Sequence, residues 1–484
     1  MKDNYDAIVI GAGIGGLSAG ALLARRGYSV ALFEAQPVAG GYCTSFRRKG
    51  HTFDSCLDAI SGLGERGWLR RILRELEVEN EAEFVRLDPL RVDNFAGELI
   101  EIPGEYGAFR EKIFGLAPHE KEGIDGLLKT MEEIFKTAMV AHPEVLYNDR
   151  RLGKAGSALG RYRGRTFKDL LDDFIKDERA RAVMSDRSAF MGLPPSKVSA
   201  VAMATMFMTF AIGGGYRIKD GAQRLADAFV TALRLHGGEL FYRSRVVEIF
   251  KENGKAAGVK VDGQLVRAKA VISSTDVNKT FSMAGVETKE TGLKPSVSFF
   301  MVYLALDGVI ALPHSMGYYP GYDIEGTFAD ISRDILSPGA SMEVINYSGI
   351  SPSMAPEGKS TVMLMAKAAY EYKESWYNCK KEVSDRMIEK AERTIPEIKG
   401  RISYAEAATP FTLERYTGNS AGAAFGWEQG EENKRTGIRT PLPGLYLAGH
   451  WTYPGGGIES VAASGLIAAV AVASKLSGTS ASEV

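Results

Sequence analysis

Apolar runs broken by glycine outline both ends of the chain. Tyr5–Ile10 is a short β-rich stretch, Gly11–Gly16 interrupts it, and Leu17–Arg26 carries apolar residues at helical spacing up to Gly27, a natural left-handed stop. Ser29–Phe33 follows as a second strand ending on Glu34. Further on, the pattern predicts an amphipathic helix over Leu225–His236 and a strand over Glu239–Tyr242. A strand pair then starts at Val246-Val247-Glu248-Ile249, turns through Gly254 and Gly263, and ends on Ala270–Asp276. Near the C-terminus the strand Leu445–Gly449 runs into a glycine-rich turn, and Ile458–Leu476 reads as a helix.

The middle of the chain has a different texture. Ile124–Ala138 and Thr166–Ala182 place apolar residues on one helical face and charges on the other. Val198–Ile212 is apolar nearly all round, with Met203, Met206, Phe207, Met208 and Phe210; it is either a core helix or the lining of an apolar cavity. Val297–Leu306 and Ser360–Ala366 read as buried strands, and Lys380–Thr394 as a helix. The expected organisation is a discontinuous nucleotide-binding domain from 1–105, 213–290 and 405–484. A helical cap at 106–212 and a β-sheet substrate domain at 291–404 interrupt it. The fold class is α/β. The longest uncharged runs, Val198–Ile212 and Ser460–Ser474, fall short of the ~18–20 residues that span a bilayer.

Composition narrows the function. Of 484 residues, 45% are hydrophobic and 25% charged, which excludes a disordered chain or a coiled coil. With 59 basic and 60 acidic side chains the formal net charge is −1, so no electrostatic argument favours nucleic acid. Cys43, Cys56 and Cys379 form neither a CxxC pair nor a metal site, and no metal is expected. The first residues lack a basic segment followed by an apolar core, so a reducing cytoplasm is the expected location, with transient contact at the inner face of a membrane.

The glycine clusters carry the chemistry. In Gly11-Ala-Gly13-Ile14-Gly15-Gly16, the first glycine permits a tight turn, Gly13 lets a pyrophosphate approach the backbone, and Gly16 lets helix and strand pack closely. Phosphates would sit on the helix N-terminus, and Glu34, 23 residues beyond Gly11, can accept both hydroxyls of an adenosine ribose. An acid there disfavours NADP. Gly40 and Gly41, after Glu34-Ala35, would let the backbone pass close to ribityl and pyrophosphate groups. Gly455–Gly457, ahead of Ile458, aim a second helix start at an anion or a carbonyl.

Glu34–Thr44, with its double glycine followed by Tyr42, resembles the second signature of the glutathione-reductase-type FAD fold. Five blocks, Ile8–Gly41, Gly50–Asp54, Gly213–Val247, Thr409–Gly426 and Gly444–Ile467, then resemble the phytoene desaturase, carotenoid isomerase and retinol saturase group of FAD-dependent oxidoreductases. They speak for about half the chain, with departures at Gly213–Ala222 and at His450-Trp451-Thr452. The resemblance implies a Rossmann FAD domain with an inserted mixed sheet roofing the flavin's reactive face and a helical cap. It implies adenine against Val246 and Val247, and the flavin edge held by Gly449, His450, Gly456, Gly457 and Ile458.

Flavin chemistry asks for positioning and exclusion of water more than for reactive side chains. His450 is a candidate acid/base or hydrogen-bond donor to the ring, or else a packing residue; Arg415 and Tyr416 are candidates to orient substrate or hold the loop. Glu459 suits a helix start as well as a catalytic role, and Lys294 precedes a strand toward the flavin. A single dinucleotide fingerprint predicts no separate NAD(P)H domain, so electrons would pass to or from oxygen, a quinone or a carrier protein. The expected reaction is desaturation, saturation or isomerisation of a C=C bond in an apolar, carotenoid-, isoprenoid- or lipid-like substrate, by hydride transfer at flavin N5. The alternatives are an amine-oxidase-like flavoprotein, and a lipid-binding protein like the Rab GDP-dissociation inhibitors, against which the intact glycines argue.

Overall fold

Ala7–Ile10 and Val30–Phe33 are buried on every side chain, a burden only the middle of a covered parallel sheet can place on a strand. The computed structural model describes residues 1–140, 157–287, 292–430 and 435–478. In it Asn4–Ile10 lies at the centre of a seven-stranded sheet. Val30–Phe33 and Glu239–Phe241 run parallel on one side, Gln264–Ser273 on the other. Leu445–Leu447 pairs with the end of Gln264–Ser273, while the hairpin Val246–Glu252 and Lys255–Val261 pairs with its start. Three helices cover this sheet: Ile14–Arg25, Gln223–Leu235 and Ile458–Ser477.

The last of these corrects the expectation drawn from apolar run lengths. By including Glu459 and Lys475 the helix reaches 20 residues, long and apolar enough to cross a membrane by length and composition. It instead packs on Ile14–Arg25 so closely that a Cβ on Gly465 would lie 2.3 Å from the carbonyl oxygen of Gly15. Ser18 donates to the carbonyl of Ala462 across the same contact.

A second seven-stranded sheet holds, in order, Ile402–Ala408, Ser298–Asp307, Lys359–Ala368, Met342–Asn346, Ser315–Tyr319, Arg91–Phe95 and Glu98–Ile102. Alternation sorts its two faces. Phe300, Val302, Leu304 and Leu306 pack outward under the helix Trp376–Thr394; Phe299, Met301, Tyr303 and Ala305 point inward with Met363 and Met365. Two expected boundaries move. Residues 91–102, assigned to the nucleotide-binding lobe, form the far edge of this sheet, and its opposite edge strand, Ile402–Ala408, runs across the boundary placed between 404 and 405.

The cap contains the helices Tyr106–Leu116, Lys121–Val140, Phe167–Asp172, Glu178–Ser185 and Ala200–Gly213. The continuous helix expected over Thr166–Ala182 is broken at 173–177. Thr166 and Asp169 cap the first piece, Asp177 caps the second, and the chain between turns inward to seat the Phe174 carbonyl against Gly123. In Ala200–Gly213 the two readings of its Met and Phe residues divide by face. Met203, Phe207 and Met208 are fully buried in the cap, whereas Met206 and Phe210 join Ala202, Thr205 and Thr209 on a cavity wall.

Candidate functional site

One cavity of about 1090 Å³ extends between the first sheet, the inner face of the second and the cap. Its groove end is built by the first turn. Gly11 has φ +90, a left-handed conformation that a side chain resists, and a Cβ on Gly16 would sit 2.1 Å from the Gly11 carbonyl. The site face of Gly13 is open: a Cβ there would meet Ser274 Oγ at 4.0 Å and nothing nearer. Gly13 and Gly40 form an isolated parallel bridge, with the Gly40 N–H donating to the Ala12 carbonyl at 2.7 Å. No side chain caps the helix that begins at Ile14, so its first amides open toward the cavity.

Glu34 takes the Ala12 N–H on Oε2 and the Gln36 N–H on Oε1, both at 2.7 Å. Burial pushes its carboxyl above the usual range against these bonds and the nearby charge of Arg245. Val246 and Val247 line the groove beyond it. At the other side, a Cβ on Gly15 would come 2.6 Å from the Gly449 amide, locking the two glycine turns together. Gly457 begins the closing helix, again without a side-chain cap. Ile14, Ala35, Gly41, Tyr42, Gly456 and Ile458 also line this stretch, so every residue expected around the cofactor lies at the cavity or, for Gly16, in the turn that shapes it.

These features fit an FAD. Two uncapped helix starts suit a diphosphate and a ring carbonyl, a carboxylate fixed by two amides suits a ribose, and the open side of Gly13 admits a close approach. Some lining residues escaped the sequence reading. Ser274 and Thr275 sit where the central strand Gln264–Ser273 ends, and the rule that ligands bind at the carboxyl ends of parallel strands could have found them.

The expected catalytic residues separate. His450 lines the cavity, and burial pushes its imidazole down to about 4. Its Nε2 lies 3.0 Å from Asn419 Oδ1, which also accepts the Trp451 indole N–H at 2.7 Å. Because an indole can only donate, that Asn419 atom is the oxygen, and Nε2 of His450 carries the hydrogen. His450 is thus a neutral donor, not a cationic acid, at neutral pH. Tyr416 is 58% exposed and stands at the cavity rim. Arg415 is exposed, lies over the Tyr416 ring at 5.8 Å, and is not among the lining residues, so it does not reach the reaction space. Glu459 is held by the Trp68 N–H and the Ser61 hydroxyl, both at 3.1 Å, and burial raises its carboxyl.

Beyond the groove the cavity becomes an apolar tunnel along Phe299, Tyr303, Met365 and Leu413 toward Phe190, Met206 and Phe210. The segment joining groove to tunnel is pinned on its polar atoms: Asp58 accepts from Arg217 at 2.8 Å and from Ser315 at 2.9 Å, and Tyr347 donates to the Leu57 carbonyl at 2.9 Å.

Comparison with known proteins agrees with this geometry. The flavin containing amine oxidoreductase family matches residues 14–473, and the chain belongs to that family. It is 27% identical over 505 residues to prolycopene isomerase 1, chloroplastic, of an Oncidium hybrid cultivar, covering 98% of this chain and 84% of that protein. It is 26% identical over 508 residues to the all-trans-retinol 13,14-reductase of Danio rerio, covering 93% and 83%. Among solved structures, wild-type putrescine oxidase bound to putrescine superposes with a TM-score of 0.67 at 17% identity, over 98% of this chain and 99% of that one, a likeness of fold. The resemblance read from the five sequence blocks is borne out, and the protein is an FAD-dependent oxidoreductase.

Proposed function

We propose that the enzyme desaturates, saturates or isomerises a C=C bond of a long apolar, isoprenoid- or carotenoid-like substrate. The observation that carries this reading is the tunnel: aromatic, methionine and aliphatic side chains form its walls, and the carboxylates that reach them are already engaged. Glu406 is paired with Arg48, Glu343 with Arg91, Asp58 with Arg217, and Glu459 with two donors. With these carboxylates paired, the walls act chiefly by positioning the substrate and excluding water. The names of the isomerase and reductase relatives support the same substrate class.

Bound FAD supplies the two-electron hydride chemistry. Gly11, Gly13, Ile14, Gly15 and Gly16 hold its diphosphate side; Glu34, Ala35, Val246 and Val247 hold the adenosine. Gly40, Gly41, Tyr42, Gly449, Gly456, Gly457 and Ile458 close around the rest. His450 donates from Nε2 to Asn419 and keeps a neutral ring on the cavity wall. The electron partner is oxygen, a quinone or a carrier protein. A reducing cytoplasm with transient membrane contact accords with three unpaired cysteines and an apolar substrate.

The test is anaerobic mixing of the flavin-loaded enzyme with polyenes, isoprenoids and amines while the flavin absorption is followed. Oxidised or chemically reduced flavin should change redox state, or the polyene its geometry, with an isoprenoid-type compound. Peroxide formed from amines, with no response to any polyene, would replace this reading with an amine oxidase.

A further inference from the structure

The tunnel reaches the surface beside Tyr303 and Leu413. Phe46 and Arg48 of the strand Ser45–Arg48, Glu406 of the edge strand Ile402–Ala408, and Thr412 and Tyr416 of the helix Pro410–Thr417 line its last stretch. Tyr303 and Glu406 are register partners, and the Phe46 ring meets Tyr303 edge-on at 4.9 Å, so these elements frame one mouth. Arg48 spans it by pairing with Glu406 at 2.8 Å.

The rim of this mouth is basic and aromatic. Ser45–Arg48 pairs with His51–Asp54, and the hairpin tip Arg47-Arg48-Lys49-Gly50 is exposed throughout. Arg47, Lys49 and the exposed Arg415 have no ion-pair partner among the described residues. The acids on this surface include Glu406, which Arg48 neutralises, Glu414, 3.7 Å from Lys279, and the exposed Glu357, whose neighbour Pro356 would meet a Cβ on Gly50. Positive charge is left in excess here, on a chain whose formal net charge is −1. Tyr416 is 58% exposed and Tyr377 84%. Tyr377 meets Phe411 at 5.3 Å between centroids, and Phe411 meets Tyr370 at 4.9 Å. A phenol ring suits a boundary where one side is apolar and the other wet.

We propose that this rim docks on the headgroup layer of an anionic lipid bilayer, so that the mouth opens onto the phase that dissolves the substrate. The proposal rests on the apolar-substrate reading above. A long apolar chain partitions into a bilayer, and a tunnel that takes it up must open toward that phase. The hairpin tip and Arg415 supply cations for anionic headgroups, while Tyr416 and Tyr377 supply rings for the interface. The apolar helix Ile458–Ser477 is not available as an anchor, because it is packed on Ile14–Arg25. Contact is therefore made by a surface and is reversible.

The experiment floats the flavin-loaded enzyme with vesicles of phosphatidylcholine alone or mixed with phosphatidylglycerol. Binding should require phosphatidylglycerol and be released by about 0.5 M salt. The double variant Arg47→Gln, Lys49→Gln, at positions outside the cavity lining, should bind the mixed vesicles about thirty-fold more weakly, the loss expected for two cations at a charged surface. Its flavin should still respond to an isoprenoid in detergent as the native enzyme's does. Orientation is read with brominated lipids. Tyr416→Trp emission should be quenched on the mixed vesicles, and Leu235→Trp, at a position 64% exposed on the helix Gln223–Leu235, should not. Equal binding to both vesicles, no binding, or quenching at position 235 instead of 416 overturns the docking surface. Any of these together with a flavin response to an isoprenoid in detergent leaves the apolar reading standing; no response to any isoprenoid in detergent overturns that reading and the docking with it.

Discussion

Glu34 is held by two backbone amides and faces the groove, so its removal acts twice. In Glu34→Ala the Ala12 and Gln36 N–H groups lose their acceptor, at about 1–3 kcal/mol for each orphaned donor. FAD binding should weaken at least about ten-fold, measured as flavin retained per protein after dialysis. His450 makes a second prediction. Its pKa is depressed from 6.5 to about 4, so between these values the unfolded chain binds more protons and stability falls as pH drops through that window, by up to about 3 kcal/mol. His450→Gln keeps a donor toward Asn419 without titrating, so urea midpoints should show it gaining on the native enzyme from pH 7 to pH 4.5.

Asp54 has the opposite sign. Burial raises it to about 6 while it accepts the Ala222 N–H and the Ser45 hydroxyl at the start of Gln223–Leu235. Its folded form binds more protons between about 4 and 6, so its contribution is lost as pH rises. Asp54→Asn should gain on the native enzyme as pH goes from 4 to 6.5, by the same urea measurement.

At the scale of elements, stability depends on which helix faces can approach. Gly465 meets backbone of the opening helix, where nothing can yield, so Gly465→Val should cost at least about 2 kcal/mol and lower flavin retention, since the same contact sets Gly15 against Gly449. Gly115, near the end of Tyr106–Leu116, has no positive φ, and a Cβ added to it would meet nothing within 4 Å. Gly115→Ala should stabilise by about 0.5–1 kcal/mol through helix propensity. Denaturant midpoints of the pair separate packing from propensity.

At the scale of the molecule, the tunnel exists because the cap helix Ala200–Gly213 stands across from the inner face of the second sheet. Thr209 lines that wall, its hydroxyl bonded to the carbonyl of Thr205 at 2.8 Å. Thr209→Trp fills the space while leaving the groove untouched. It should lower kcat/KM for a long apolar substrate more than about ten-fold, equivalent to about 1.4 kcal/mol, with flavin content unchanged. Equal loss of flavin would place the effect in folding instead.

Local rules make the groove legible. Gly11–Gly16, Glu34, Gly40-Gly41 and Gly455–Gly457 belong to turns and helix starts whose geometry is set within a few residues, so their chemistry follows from spacing. The long buried strands and the amphipathic helices are equally local in their periodicity. The tunnel is decided by tertiary structure. Arg91 and Glu343 are 252 residues apart along the chain, and no spacing rule joins them. Residues 91–102 leave the first lobe for the second sheet because their partner, Ser315–Tyr319, lies over 200 residues later. Met203 and Met206 divide between core and cavity because of what packs against each face of one helix, and Arg415 lies outside the site because the helix Pro410–Thr417 turns it to solvent. Periodicity says that a face is apolar; only the partner across from it says whether that face is filled or left open.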